Sequence, residues 1–373
     1  MSVQHLHIIT HDVPYPANFG GVIDAFYIIK SLSKFGIKIR LHCFTKKRAR
    51  QPILEEFCET VTYYPRHIIT GLSIKVPYII ASRKSKKLLE NLRRDNFPIL
   101  FEGIHTTYWL YKNMLPDRKI FLRILNVESI YYNYLAAHEK NILKGFYYLQ
   151  EAKLLKKYET AIANKAIILA LSIADKEYFQ TIHKAKGILF LPAFLPNNAL
   201  TTLIGKGKYC LYHGNLEVNE NEKAAMWLIE NIFSRSAIPL VIAGNKPSSS
   251  LKKKVQNYHN VSLVDTPSEL NMQLLVMNAQ INILPSLNNT GIKLKLLNAL
   301  YNGRHCLVNP AGVEGSGLNE LCEVAENDDE FSKKISTLFV QDFTPKEMQY
   351  RSTALKKLYN NEQSAQVIID MLS

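Results

Sequence analysis

At roughly 100–200 residues per domain, a chain of 373 residues is expected to hold two domains. A hydrophobic fraction of 47% and a charged fraction of 21% exclude a disordered, collagen-like or disulfide-miniprotein class. The formal net charge of +14 is confined to one half: residues 1–190 hold 29 Lys/Arg against 15 Asp/Glu, and residues 191–373 hold 17 of each, which points to an anionic partner for the first half.

The first predicted strand is Leu6 to Thr10. A loop with Pro14, Pro16, Gly20 and Gly21 follows, then a helix from Val22 to Phe35, ended by Gly36, and a strand from Ile37 to Phe44. Strand, glycine-containing loop, helix and strand within 45 residues form a βαβ unit. Further buried strands are expected at Phe97 to Glu102, Lys119 to Leu125 and Ala166 to Ser172. A long Tyr/Phe-rich helical stretch, Tyr132 to Ile162, lies between the last two. Pro192 to Asn198, with two prolines and two asparagines, reads as a linker. The alternation then restarts, with strands at Tyr209 to His213, Pro239 to Ala243, Val261 to Val264 and Ile281 to Leu284. Helices are expected at Asn221 to Ile232, Ser249 to Asn257, Ser268 to Met277 and Gly291 to Tyr301. The pattern predicts two doubly wound α/β domains, residues 1–190 and 205–345, with ligands at the carboxyl ends of their strands. The final stretch, 346–373, is expected to be helical and to pack back on the first domain.

Cys43, Cys58, Cys210, Cys306 and Cys322 are odd in number and include no Cys-x-x-Cys pair, which argues against a zinc ribbon or disulfide framework and fits a reducing cytosol. The start lacks a basic segment followed by an apolar one, so no signal peptide is expected. The longest apolar runs, such as 166–174, are about half the ~20 residues of a spanning helix, which leaves only peripheral membrane contact. His5, His7 and His11 read as strand histidines with one at a loop mouth rather than as metal ligands. No Asp-x-Asp, no Gly-x-x-x-x-Gly-Lys-Ser/Thr loop and no Gly-x-Ser-x-Gly elbow occurs, so neither a metal-bridged diphosphate nor an ATPase or α/β-hydrolase is indicated. Gly20 and Gly21 allow close approach of a ligand to a helix start, and equally allow a plain tight turn. The most informative stretch is Ile281 to Gly303: a strand, a small polar loop with Thr290 and Gly291, then a helix with Lys293 and Lys295 in its first turns. Exposed amides, a favourable dipole end and two cations suit a diphosphate. Asn298 shares a helix face with Lys295.

The order of these segments resembles a GT-B glycosyltransferase, close to family four of retaining nucleotide-sugar transferases and to its bacterial members in surface polysaccharide assembly. Pro14 to Gly21 is similar to the amino-terminal glycine loop. Asn126-Val127-Glu128 with Tyr131-Tyr132 resembles the His-Asn-x-Glu…Tyr segment of a subgroup. Tyr212-His213-Gly214-Asn215 with Asn221, and Ile242-Ala243-Gly244-Asn245, resemble the first two strands of the donor domain. Gly291 to Gly303 and Gly312-Val313-Glu314-Gly315 resemble the donor helix and the loop after the next strand. Two glutamates eight positions apart are usual in the family. Thr290 and Asn298 stand at those positions here.

The resemblance implies two Rossmann-like domains facing each other across a cleft. It implies transfer of a sugar from a nucleotide-diphosphate-sugar to an acceptor hydroxyl with retention, the leaving phosphate taking the acceptor proton. The nucleotide sugar is a substrate, and neither a cofactor nor a metal is expected. Lys295 is the first choice for the diphosphate charge and Lys293 the second, with Asn245 and Lys246 assisting and Asn298 toward the ribose. His105 is expected to face the transferred sugar and to respond to titration near neutrality. Glu128 either receives sugar hydroxyls or serves as a helix cap. The segment Arg83 to Arg94, with its Leu88/Leu89/Leu92 stripe, is amphipathic and reads either as a solvated helix or as one lying on an anionic membrane at the inner face of the cytoplasmic membrane, where a glycan or lipid-linked acceptor would be met. No nucleic-acid-binding motif is present. A catalytically inactive nucleotide-sugar-binding or scaffold protein of the same shape and a nucleotide-sugar epimerase are the alternatives.

Overall fold

A computed structural model describes residues 4–18, 20–46, 48–67, 73, 75–196, 199–288 and 291–372. The chain forms two compact units. Unit 1 comprises Met1–Pro196, Thr290–Ile292 and Tyr359–Ser373, and unit 2 comprises Asn197–Asn289 and Lys293–Leu358. Among the described residues no helix is long and apolar enough to cross a membrane.

Unit 1 carries seven strands: β1 His5–Thr10, β2 Lys38–Thr45, β3 Thr60–Pro65, β4 Ile99–Glu102, β5 Ile120–Ile124, β6 Ile167–Ala170 and β7 Ile188–Phe190. They form one parallel sheet in the order β3-β2-β1-β4-β5-β6-β7. Successive side chains point to opposite faces. Ile9, Phe101, Leu122 and Ile168 join the core on one face, and Ile8, Leu100, Phe121 and Leu169 the core on the other. Both faces are therefore covered, which is why these strands read as continuous apolar runs. The strand order reverses between β1 and β4. A crevice opens at such a switch point, outside the carboxyl ends of the strands.

Charged residues hold the centre of unit 1. Arg123 of β5 and Asp24 of the helix Gly20–Lys34 are both fully buried and paired through two hydrogen bonds. Arg123 also donates to the carbonyls of Leu191 (3.0 Å) and Pro192 (2.8 Å), while Asp24 accepts from the Phe194 amide at 2.7 Å. The pair thus ties the first helix, the sheet and the segment that leaves the unit. Glu102, in register with both Thr10 and Arg123, is buried beside it. Burial and the Asp24 charge push the Glu102 carboxyl up toward its protonated form.

The stretch expected as one long helix is two, Glu128–His138 and Ile142–Ile162. Asn141 breaks it: its side chain accepts from the Lys144 amide at 3.1 Å and caps the second helix. The Leu88/Leu89/Leu92 stripe faces neither solvent nor a membrane but is covered by protein. Leu88, Leu89 and Leu92, in the helix Lys86–Leu92, belong to the core, and the buried Arg83 donates to the carbonyls of His11 and Ile79.

Unit 2 carries β8 Cys210–His213, β9 Leu240–Gly244, β10 Val261–Asp265, β11 Ile281–Ile283, β12 His305–Val308 and β13 Glu323–Val324. They pair in parallel in the order β10-β9-β8-β11-β12-β13, so the switch point lies between β8 and β11. The last two helices divide between the units. Pro345–Leu358 groups with unit 2. Asn361–Leu372 packs Ala365, Ile368 and Leu372 into the core that holds Phe26 and Ile29 of unit 1.

Replacing Arg123 by Met is expected to lower stability by about 3–5 kcal/mol, because it leaves Asp24 buried without a counter-charge. The double change Asp24→Asn with Arg123→Met is expected to recover part of that loss. Urea denaturation followed by circular dichroism reads both, and an unchanged midpoint for Arg123→Met would contradict the assignment.

Candidate functional site

In unit 2 the polar groups gather at the β8/β11 switch point. The Tyr212 hydroxyl donates to the Asn221 carbonyl at 2.8 Å, and the Asn221 side chain donates to the Asn215 carbonyl at 3.0 Å. This folds the loop after β8 back over the strand end. Gly214 lies against Asn221, and a Cβ there would sit 3.3 Å from the Asn221 Cγ. Gly244, at the end of β9, backs directly onto Gly214: a Cβ would fall 1.9 Å from the Gly214 carbonyl oxygen, so no other residue fits.

The helix after β11 starts later than expected. It runs Leu294–Asn302, with Lys293 in the cap position, rather than from Gly291. Gly291 has φ of 65°, a left-handed conformation that cannot belong to a right-handed helix. Gly291 and Ile292 group with unit 1, where a Cβ on Gly291 would lie 3.3 Å from the Leu125 carbonyl oxygen. Thr290 lies outside the described residues.

The late start separates the two lysines. Lys293 Nζ donates to Asn288 Oδ1 at 2.8 Å. Lys295 lies in the first helical turn, where the Leu296 amide donates to the Lys293 carbonyl at 2.8 Å. Its Nζ donates to Asn221 Oδ1 at 3.2 Å and sits 5.1 Å from the centre of the Tyr212 ring. Burial, then the Lys293 charge, lowers the Lys295 pKa to about 8, opposed by Glu220. The buried His213 beside it is pushed down to about 3 by burial and the Lys295 charge. Glu220 accepts from the Asn288 side chain, so one carboxylate borders the lysine cluster. Asn309 clamps the loop after β11 by accepting from the Ser286 amide (2.8 Å) and donating to its carbonyl (2.7 Å).

The other expected residues of unit 2 make contacts of their own. Asn245 and Lys246 are exposed, and Lys246 Nζ pairs with Glu217 at 3.1 Å. Asn298 Oδ1 accepts from Asn302 at 2.8 Å, and Asn302 accepts from the Thr201 hydroxyl at 2.6 Å. Asn221, Asn288 and Glu220 complete the lysine environment. Of these the sequence pattern singled out only Asn221, since Glu220 and Asn288 carry no spacing signal of their own.

Unit 1 gathers a second set at its β1/β4 switch point. Gly20 and Gly21 open the helix Gly20–Lys34, and a Cβ on Gly21 would lie 2.6 Å from His11 Cε1. Only glycine lets that ring lie against the helix start. Gly103 has φ of 82° and leads into the short turn Ile104–Thr106 that carries His105. The His11 and His105 rings are 5.4 Å apart. His105 Nε2 lies 3.9 Å from Oε1 of Glu128, the first residue of its helix.

Burial governs the charge of this set. It holds His105 well below the ordinary histidine range, with Arg83 and His11 adding to the shift. It pushes His11 down to about 3, helped by Arg83. It pushes Glu128 up to about 8, helped by the Glu159 charge. At neutral pH the imidazoles are uncharged and Glu128 is protonated. His105 therefore does not titrate near neutrality, contrary to the expectation from its type alone. Among the described residues, His105 Nδ1 and Asn126 Oδ1 are buried without a hydrogen-bond partner.

No protein-family model matches the chain. An uncharacterised 44.6 kDa protein of the cps region of Klebsiella pneumoniae is 28% identical over 359 residues, spanning 88% of this chain and 89% of the relative. Among solved structures, a glycosyltransferase of Rickettsia africae superposes with a TM-score of 0.68 at 12% identity, covering 100% of this chain and 98% of that one. Anabaena HepE, solved with UDP and glucose, superposes with a TM-score of 0.69 at 10% identity, covering 99% of each chain. The fold is that of the GT-B glycosyltransferases.

The charge assignment has a direct test. The ring signals of His11, His105 and His213, assigned through single His→Gln variants, are expected to stay at their neutral positions from pH 8 to about pH 5. A midpoint near the ordinary histidine value for any of the three would contradict its burial.

Proposed function

We propose that the protein is a glycosyltransferase. It moves a sugar from a nucleotide-diphosphate-sugar to a hydroxyl of a glycan or lipid-linked acceptor, with retention, in bacterial surface polysaccharide assembly. The observation that carries this reading is Lys295. It is a half-buried cation in the first turn of a helix at a switch point, held against Tyr212 and Asn221 with Lys293 close enough to lower its pKa. Two crowded cations at a helix start form a receptor for a diphosphate. The UDP bound by Anabaena HepE supports a uridine nucleotide, and the cps-region relative supports the polysaccharide setting.

In this reading unit 2 holds the donor and Lys295 stabilises charge on the leaving diphosphate, with Lys293 second. The acceptor oxygen bonds to the anomeric carbon as the bond from that carbon to the phosphate oxygen breaks, and the acceptor proton passes to the leaving phosphate on the same face. The unit 1 groups suit binding better than proton abstraction. A histidine held far below its usual pKa is a poor base, and a protonated Glu128 is a hydrogen-bond donor. His105 and Glu128 accordingly bind sugar hydroxyls. Two lysines and helix amides neutralise the diphosphate without a bound divalent ion. A nucleotide-sugar binder without transfer is the second reading, favoured by Thr290 and Asn298 where the resembled family has glutamates.

An anion beside Lys295 raises its pKa, so donor binding takes up a proton wherever the free lysine is deprotonated. UDP-sugar affinity is expected to be flat below pH 8 and to fall as pH rises through about 8. Lys295→Met is expected to weaken binding by about 1.5–3 kcal/mol, the range for a hydrogen bond to a charged group, and to remove the pH dependence. Calorimetry with UDP-, GDP- and ADP-sugars at several pH values checks this. Stabilisation by none of them, or wild-type affinity in Lys295→Met, would contradict the donor site. Donor hydrolysis by the parent protein favours the transferase over the inactive binder.

A further inference from the structure

The helix Ile142–Ile162 has two unlike halves. From Glu151 onward, Glu151, Ala152, Leu155, Tyr158, Glu159 and Ile162 are buried and anchor it in unit 1. Before Glu151 none of its residues is buried. There Ile142 is 87% exposed, Leu143 83% and Phe146 61%, with Leu149 and Tyr147 exposed as well. Ile142, Phe146 and Leu149 follow at i, i+4 and i+7, so they share a face, and Leu143 flanks it. Scattered exposed apolar residues are ordinary, but a contiguous cluster marks an interaction site. The partner helix Glu128–His138 buries only Glu128 and Ser129.

Behind the apolar tip lies a collar of tyrosines. Tyr147 and Tyr148 have ring centres 5.7 Å apart, Tyr132 and Tyr148 5.9 Å, and Tyr131 and Tyr132 6.2 Å. Charge on the hairpin is one-sided toward solvent. Lys140, Lys144, Lys153, Lys156 and Lys157 are exposed. Of its four carboxylates, Glu128, Glu151 and Glu159 are buried, and Glu139 is partly exposed and paired with Lys144 at 2.7 Å.

We propose that this hairpin tip inserts into an anionic lipid surface and docks unit 1 on a membrane. Apolar tip, tyrosine collar and lysine flank follow the polarity gradient of a membrane interface. Residues 142–149 span about 12 Å of helix at 1.5 Å per residue, comparable to the depth of an interfacial helix. The exposed lysines and the +14 of residues 1–190 select anionic over neutral headgroups. The inference stands on the hairpin alone and does not require the donor site.

Co-sedimentation of the full chain with vesicles of phosphatidylcholine, with and without phosphatidylglycerol, tests it. The parent is expected to bind the phosphatidylglycerol-containing vesicles and to lose binding as salt rises. The triple change Ile142→Ser, Leu143→Ser, Phe146→Ser is expected to lower partitioning at least about tenfold with an unchanged circular dichroism spectrum. Independently, Phe146→Trp is expected to show a blue-shifted emission on anionic vesicles that brominated lipid quenches. Failure of the parent to bind, undiminished binding by the triple variant, or an unshifted Phe146→Trp emission overturns the proposal. So does light scattering that shows a lipid-free parent dimer and a monomeric triple variant, because a second copy would then cover the tip.

Discussion

The buried Asp24–Arg123 pair is the constraint on which unit 1 depends. Removing two ions from water is unfavourable by several kcal/mol each, and only near-complete hydrogen bonding offsets that. Here Arg123 reaches Asp24 and the carbonyls of Leu191 and Pro192, and Asp24 also accepts from the Phe194 amide. The pair fixes three things at once: the register of the first helix on the sheet, the end of β5, and the path of the chain as it leaves the unit. That helix start sets Gly21 against His11, where a Cβ would fall 2.6 Å from the ring.

Burial then acts oppositely on the two candidate sites. In unit 1 it removes charge, leaving neutral imidazoles and a protonated Glu128 suited to uncharged hydroxyls. In unit 2 it destabilises a cation, which an anion placed beside Lys295 would restabilise. Such a lysine lowers the stability of the unliganded protein and regains it on binding, a common exchange at functional sites.

What could be read from the sequence follows the range of the interactions involved. The βαβ opening was legible because strand, Gly20-Gly21 loop and helix are encoded within 45 contiguous residues. The helix start at Leu294 was not, because Lys293 occupies the cap without a capping side chain and the left-handed Gly291 leaves no mark beyond being glycine. The break at Asn141 carried a cap residue, but the flanking aromatic run masked it. The Leu88/Leu89/Leu92 stripe was rightly apolar on one face, yet amphipathicity does not say what covers a face, and here it is the core. The apolar tip at Ile142 to Phe146 is the converse: composition alone could not separate it from core helix. Asp24 and Arg123 are 99 residues apart, and no local pattern links them. His105 was located by its place after β4, but its charge state depends on Arg83 and His11 from other segments.

The central claim is that unit 2 receives the donor through the loops after β8 and β11. Photolabelling with an azido-uridine-diphosphate sugar, followed by peptide mapping, tests it most directly. The account predicts labels in the peptides around residues 209–222 and 281–302, lost when unlabelled UDP competes and reduced in Lys295→Met. Labels confined to unit 1, or labelling that UDP does not compete away, would contradict it.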